Sequence, residues 1–216
     1  MIKAEHKKWA QLIYDFYISR LLKKNFNSFY LLNEFPPIPK NSGLIITPNH
    51  FSWWDGFLID FVGKKYLDRK FYLLMLEEQL EKYWFFRKIG AFSIKLDNPV
   101  SIAATLLYSR EIVSKTENYL VIYPQGELEP YEKRPPKIKE GLKSILKKLP
   151  LETFVLPFAF KLRFGNEMKP DIIARAGNLI DSKLIVNDYS IFTKAFENTL
   201  FELDNDEPQK EKIKFF

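Results

Sequence analysis

The stretch Leu44-Ile45-Ile46-Thr47-Pro48-Asn49-His50-Phe51-Ser52-Trp53-Trp54-Asp55-Gly56-Phe57-Leu58-Ile59-Asp60-Phe61-Val62-Gly63-Lys64-Lys65 holds two patterns joined by a polar loop. Leu44–Thr47 is a short apolar run with the length of a strand, and 55–65 reads as a helix. The same alternation continues outward. Strands are expected at 71–75, 91–95, 119–123, 153–160 and 171–176. Helical segments are expected at 77–88 (with aromatic interruptions), 100–115, 137–149 and 191–203. Strands alternating with helices of ten or more residues predict an α/β fold, with a largely parallel sheet flanked by helices. In such sheets, sites lie at the carboxyl ends of strands, which is where His50 falls.

Ahead of this domain, 7–24 has Trp9, Leu12, Ile13, Phe16 and Tyr17 at helical spacing, with Lys8, Gln11, Asp15 and Ser19 between them. An aromatic-rich stretch, 26–35, follows and is read with it as a helical pair. Pro36-Pro37-Ile38-Pro39 then breaks the pattern. These features divide the chain into an N-terminal amphipathic helical segment (1–39), an α/β domain (40–204) and a charged tail (205–216) expected to be disordered. Two uses fit the first helix: packing on the core, or anchoring at a membrane surface with lysines at the headgroups.

The 216 residues suffice for one hydrophobic core, and 46% apolar with 28% charged residues describe a globular chain. Cysteine is absent, which excludes disulfides, thiolate metal sites and a cysteine nucleophile. The net charge of +6 points to an anionic partner. Twenty Phe, eleven Tyr and four Trp suit an anionic lipid interface, and would also suit stacking on single-stranded nucleic acid. No apolar run is long enough to span a bilayer and no secretory signal is evident, so the expected location is peripheral, on the cytoplasmic face of a membrane.

Of the two histidines, His6 lies in a lysine-rich terminus and His50 follows a strand. On a regular helix His50 and Asp55 would point about 140° apart, so they meet only if His50 lies in the loop and Asp55 in the first helical turn. A histidine whose second nitrogen is held by a carboxylate can take a proton from a hydroxyl as it attacks a carbonyl. The same residues also fit a plain helix start, with Ser52 as N-cap and Asp55 three residues on.

Asn49-His50 with four residues to Asp55 resembles the first block of the glycerolipid acyltransferases, the family of 1-acylglycerol-3-phosphate acyltransferase. Gly90-Ala91-Phe92-Ser93-Ile94-Lys95, Tyr123-Pro124-Gln125-Gly126-Glu127 and Val155-Leu156-Pro157 are similar to the second, third and fourth blocks, in order. Ile138-Lys139-Glu140-Gly141 resembles the stretch after the third. The resemblance covers about 43–160. It implies transfer of a fatty acyl group from an acyl thioester, acyl-CoA or acyl-ACP, to a lipid hydroxyl. It further implies His50 as base, Asp55 as its partner and no cofactor. The implied partners are the thioester donor, its carrier protein and a membrane, and not nucleic acid.

The chain departs from the family where an arginine usually stands, at Lys95, and in the third block, usually Pro-Glu-Gly-Thr-Arg but here Pro124-Gln125-Gly126-Glu127-Leu128. Lys95, Gln125, Gly126 and Glu127 are thus the candidate acceptor-binding residues, with Gly126 expected in a tight turn. Lys133, Arg134, Lys137 and Lys139 are the candidate phosphate-binding set. A lysophosphatidate-like acceptor and an unphosphorylated glycolipid or pigment alcohol both fit. A non-catalytic basic lipid-binding protein that kept the fold is the alternative from another class.

Overall fold

The computed structural model describes residues 1–205 and 213–216. Helix α1 (Lys8–Asn25) leads into a short strand, β1 (Phe29–Leu31), and then into β2 (Gly43–Pro48). After α2 (Asp55–Tyr66) come β3 (Lys70–Leu76), α3 (Glu77–Lys82), a 3-10 helix (Trp84–Ile89) and β4 (Ala91–Ile94). The chain continues through α4 (Pro99–Val113), β5 (Asn118–Val121), α5 (Gly141–Leu146) and β6 (Thr153–Arg163). It finishes with β7 (Asp171–Ala176), β8 (Ile180–Asp181), α6 (Ser182–Asn187), α7 (Ser190–Asn205) and β9 (Ile213–Lys214).

The strands form one sheet in the order β4-β3-β5-β2-β6-β7-β1-β9, with β8 alongside β6. Neighbours from β4 to β6 are parallel, as is β1 with β7. The β6–β7, β6–β8 and β1–β9 pairs are antiparallel. β2 is buried at every position because the sheet is covered on both faces. Leu44 and Ile46 pack with residues of α1 and α2, whereas Ile45 packs with residues of α4, α5 and α7. Register places Ile46 beside Val121, so the loops that follow β2 and β5 leave the sheet side by side.

The expected α/β architecture is present, and its strands and long helices fall close to their sequence positions. Four differences have physical causes. The stretch 26–35, expected to be helical, supplies β1, because Phe29 and Leu31 are wholly buried in the sheet. The helix expected at 137–149 shrinks to α5: the segment before it is a loop tied back by the Lys137 and Lys139 N–H groups to Glu129 and Pro124, and Lys148, with φ +62°, breaks the helical path after it. Ser52 is not the N-cap of α2, a position held by Trp54 without a side-chain bond. The tail, expected to be disordered, ends in β9, and Phe215 stacks on Phe29 at 4.4 Å. Residues 206–212 lie outside the described residues.

The first helix is apolar on two sides. Ala10, Tyr14, Ile18 and Leu22, four apart, face the core. The row singled out in the sequence is turned outward, from 50% exposed at Trp9 to 72% at Leu12.

The N-terminal segment is therefore structural. Ile18, Leu22, Phe26, Phe29 and Leu31 are all buried, at roughly 1.5–3 kcal/mol each, against a typical domain stability of about 5–15 kcal/mol. Removing residues 1–35 is expected to abolish the cooperative thermal transition seen by circular dichroism. A truncated chain that melts like the parent would show the segment to be an appendage.

Candidate active site

β2 hands over to the site loop through Asn49, which is buried. Its Nδ2 donates to the Phe160 carbonyl at 2.9 Å, and its Oδ1 accepts from the Phe160 N–H at 2.7 Å. The side chain thus continues the β2–β6 ladder beyond the last strand residue and fixes where the loop begins.

Asp55, fully buried at the start of α2, shapes the loop itself. Its Oδ2 accepts from His50 Nδ1 at 2.8 Å, Phe51 N–H at 2.8 Å and Ser52 N–H at 2.9 Å, and its Oδ1 from the Ser52 hydroxyl at 2.6 Å. The N-terminal end of α2 adds a favourable dipole for the carboxylate. Asp55 is both the turn-forming residue at the start of α2 and the histidine's partner.

An ionised carboxylate only accepts, so Nδ1 of His50 is the donor in this pair, and in the neutral imidazole Nε2 keeps its lone pair. Among the described residues no protein group bonds Nε2. The imidazole stacks on Tyr123, with centroids 4.0 Å apart and planes 15° from parallel. Burial and the nearby Asp55 charge push the Tyr123 phenol well above its ordinary pKa, so it stays neutral. Its hydroxyl is buried and has no hydrogen-bond partner among the described residues. Sequence inspection gave Tyr123 no role of its own.

The third block packs against this loop. Gly126 sits in the expected turn: its φ is +72°, and its N–H reaches the Tyr123 carbonyl at 3.1 Å. Gln125, a candidate acceptor contact, points inward instead. It is buried, with its Oε1 on the His50 N–H at 2.6 Å and its Nε2 on Glu129 at 3.0 Å. Glu129 was missed in the sequence because it stands outside the block. The only local signal was an acidic residue four positions after Gln125.

The basic set separates. Lys133 pairs with Glu129, and Arg134 pairs with Asp204 while also bonding the Tyr131 carbonyl, so both charges are engaged by acidic side chains. Lys137 and Lys139 flank Glu127 at 3.8 and 3.6 Å. Lys95 is exposed, and its neighbours Ile94 and Leu96, not Lys95, line the cavity described next.

That cavity, of about 580 Å³, opens beside His50. Its wall is mostly apolar and comes from both sides of the sheet edge. Tyr14, Phe57, Leu73 and Phe86 lie on the α1/α2 side, and Leu74, Leu106, Leu142 and Ile145 on the α4/α5 side. Gly126, Glu127, Leu128 and Lys139 make its rim, charged at Glu127 and Lys139, and Trp53, half-exposed, also lines it.

The bonding pattern separates the roles of the two motif residues in stability. Asp55→Ala leaves the Phe51 and Ser52 N–H groups without their acceptor, which should cost about 3 kcal/mol or more in urea unfolding. His50→Ala, at a side chain 24% exposed, leaves Asp55 three of its four donors and should cost clearly less, about 1 kcal/mol. Equal losses in the two variants would contradict Asp55 as the organiser of the loop.

Comparison with known proteins agrees with this architecture. No curated protein matches the chain by sequence. The crystal structure of the 1-acyl-sn-glycerophosphate acyltransferase PlsC from Thermotoga maritima shares the fold, with a TM-score of 0.64 at 14% identity over 93% of this chain and 81% of that one. The family model described as Acyltransferase matches residues 33–161, well over half of the chain and spanning the His50–Asp55 loop, the cavity rim and β6 up to Lys161. By that match the chain belongs to the acyltransferase family.

Proposed function

We propose that this protein transfers a fatty acyl group from an acyl thioester, carried on coenzyme A or acyl carrier protein, to the hydroxyl of a membrane lipid. The observation that carries the proposal is the His50 ring, held at Nδ1 by Asp55 and stacked on Tyr123, standing at an apolar cavity. In the proposed reaction the acceptor oxygen attacks the thioester carbon while its proton passes to Nε2. Asp55 stabilises the resulting imidazolium. The tetrahedral intermediate then collapses, the C–S bond breaks, and the departing thiolate takes the proton from Nε2. Products are an ester and a free thiol, and the imidazole returns to its starting state. No enzyme nucleophile is required; the Ser52 hydroxyl is committed to Asp55.

The cavity suits the acyl chain. Each methylene moved there from water gains about 0.8 kcal/mol, and the volume lies within the usual range of ligand pockets. For the acceptor, the rim supports an anionic headgroup: two ammonium groups flank the Glu127 carboxylate, leaving one positive charge beside the cavity. A lysophosphatidate-like lipid therefore suits this rim better than an uncharged glycolipid or pigment alcohol.

Delivery of the acceptor is proposed to occur from a bilayer surface, with the protein peripheral on the cytoplasmic face. Among the described residues no helix is long and apolar enough to cross a membrane. The outward row of α1, continued by exposed Trp84, forms an apolar surface next to Arg20 and Lys88. Aromatic and basic residues together favour the headgroup boundary. The inner face of the same helix reaches the cavity through Tyr14, so lipid contact and substrate site share one element.

Two measurements check these assignments. His50→Ala should lower the rate of acyl transfer by about 10²–10⁴-fold while the protein remains folded; near-normal turnover would remove His50 as the base. Ile13→Asp combined with Phe16→Asp alters only exposed positions. It should largely abolish co-sedimentation with anionic phospholipid vesicles and leave the thermal transition in place. Unchanged sedimentation would remove α1 as the contact surface.

A further inference from the structure

We infer that Gln125 and Glu129 are a matched pair of positioning residues, an amide and a carboxylate that together hold the main chain of His50. The contacts close a ring. The His50 N–H donates to Gln125 Oε1 at 2.6 Å, Gln125 Nε2 donates to Glu129 Oε2 at 3.0 Å, and the Glu129 N–H donates back to the His50 carbonyl at 3.0 Å. Both side chains are buried, at 4% and 5% exposure. Asp55 and Tyr123 fix the His50 ring, and this pair fixes its backbone.

The chemistry of the ring explains why an amide stands at position 125, where the family pattern has a carboxylate. The residue must accept from an N–H on one side and donate to an ionised carboxylate on the other, and glutamine has one atom for each task. Glutamate there would place two carboxylates about as close as the paired acids of aspartic proteases, which cannot both ionise. Glu129 is secured as the charged member. The Lys133 ammonium pairs with its Oε1, and the Lys137 N–H donates to its Oε2 at 3.1 Å. The Lys133 hydrogen bond, and after it that from Gln125, holds its pKa at about 2. The groups facing the pair are thus Lys133 on one side and the His50–Asp55 couple on the other. The departure at Gln125 and the acidic residue at 129 are one compensated change.

The inference rests on the proposed role of His50 for its effect on turnover, but it has a readout that needs no turnover: hydrogen exchange at the His50 amide, followed by NMR in the full-length protein. In Gln125→Glu the amide should exchange at least about tenfold faster at neutral pH. Protection should return as the pH falls and the two carboxyls share a proton, because a protonated carboxyl can replace the lost donor. The parent should lack this pH dependence. The swapped variant, Gln125→Glu with Glu129→Gln, restores one donor and one carboxylate and should recover most of the protection. Gln125→Met removes both bonds without adding charge, so the test survives if the glutamate variant does not fold. It should expose the amide and lower kcat with KM for the thioester within about twofold of the parent. Parental exchange in Gln125→Glu and Gln125→Met, or equal losses in the single and swapped glutamate variants, would overturn the pairing. An inactive parent with the predicted exchange pattern would overturn the proposed reaction and leave the pairing standing.

Discussion

A buried carboxylate with four hydrogen-bond donors is the constraint on which the site depends. Asp55 has no exposure to water, so its charge must be met by the protein. It is met by two backbone N–H groups, a hydroxyl and an imidazole, all from the five residues before it. Meeting that charge forces 50–54 into a single tight loop, sets the proton of His50 on Nδ1, and starts α2 at Asp55. Local folding and the proposed chemistry thus draw on the same four bonds.

The sheet brings the other parts to this loop. Because β2 lies between β5 and β6, the segments after β2 and β5 emerge together, and Asn49 ties the first of them to β6. The third block can then reach the back of His50 with Gln125 while its rim, Gly126 to Leu128, faces the cavity. The same edge gives the cavity its two-sided wall. Residues alternate along β3, so Leu73 and Leu74 serve opposite faces and both line it. Helix α1 completes one side and carries an apolar outer row, which is how a lipid-facing surface comes to lie beside a lipid-sized cavity.

Much of this was legible in the sequence because it is local. The short apolar run before His50 and the helical period after Asp55 gave the βα unit, and their spacing allowed the histidine to meet the carboxylate. What escaped depends on distant partners. β1 is a strand only because it finds β7 and β9 far along the chain, and β9 only because it finds β1. The outer row of α1 has the spacing of a core face, yet the smaller row at Ala10, Tyr14, Ile18 and Leu22 is the one that packs; periodicity alone cannot rank two apolar faces. Lysines 133, 137 and 139 and Arg134 read as one basic run, but Glu129 and Asp204 take up two of the four charges. Gln125 looked like an acceptor contact because nothing in its own block reveals that Glu129 and the His50 backbone use up its amide.

The central claim is that Asp55 holds His50 in the tautomer whose Nε2 is free to accept a proton, and this can be measured without substrate. With only two histidines in the chain, 15N-histidine labelling together with a His6→Gln variant assigns the ring signals of His50 unambiguously. At a pH where the imidazole is neutral, the account predicts a protonated Nδ1 and a bare Nε2, with the Nδ1 proton shifted downfield by its carboxylate partner. A neutral ring protonated on Nε2 would contradict it.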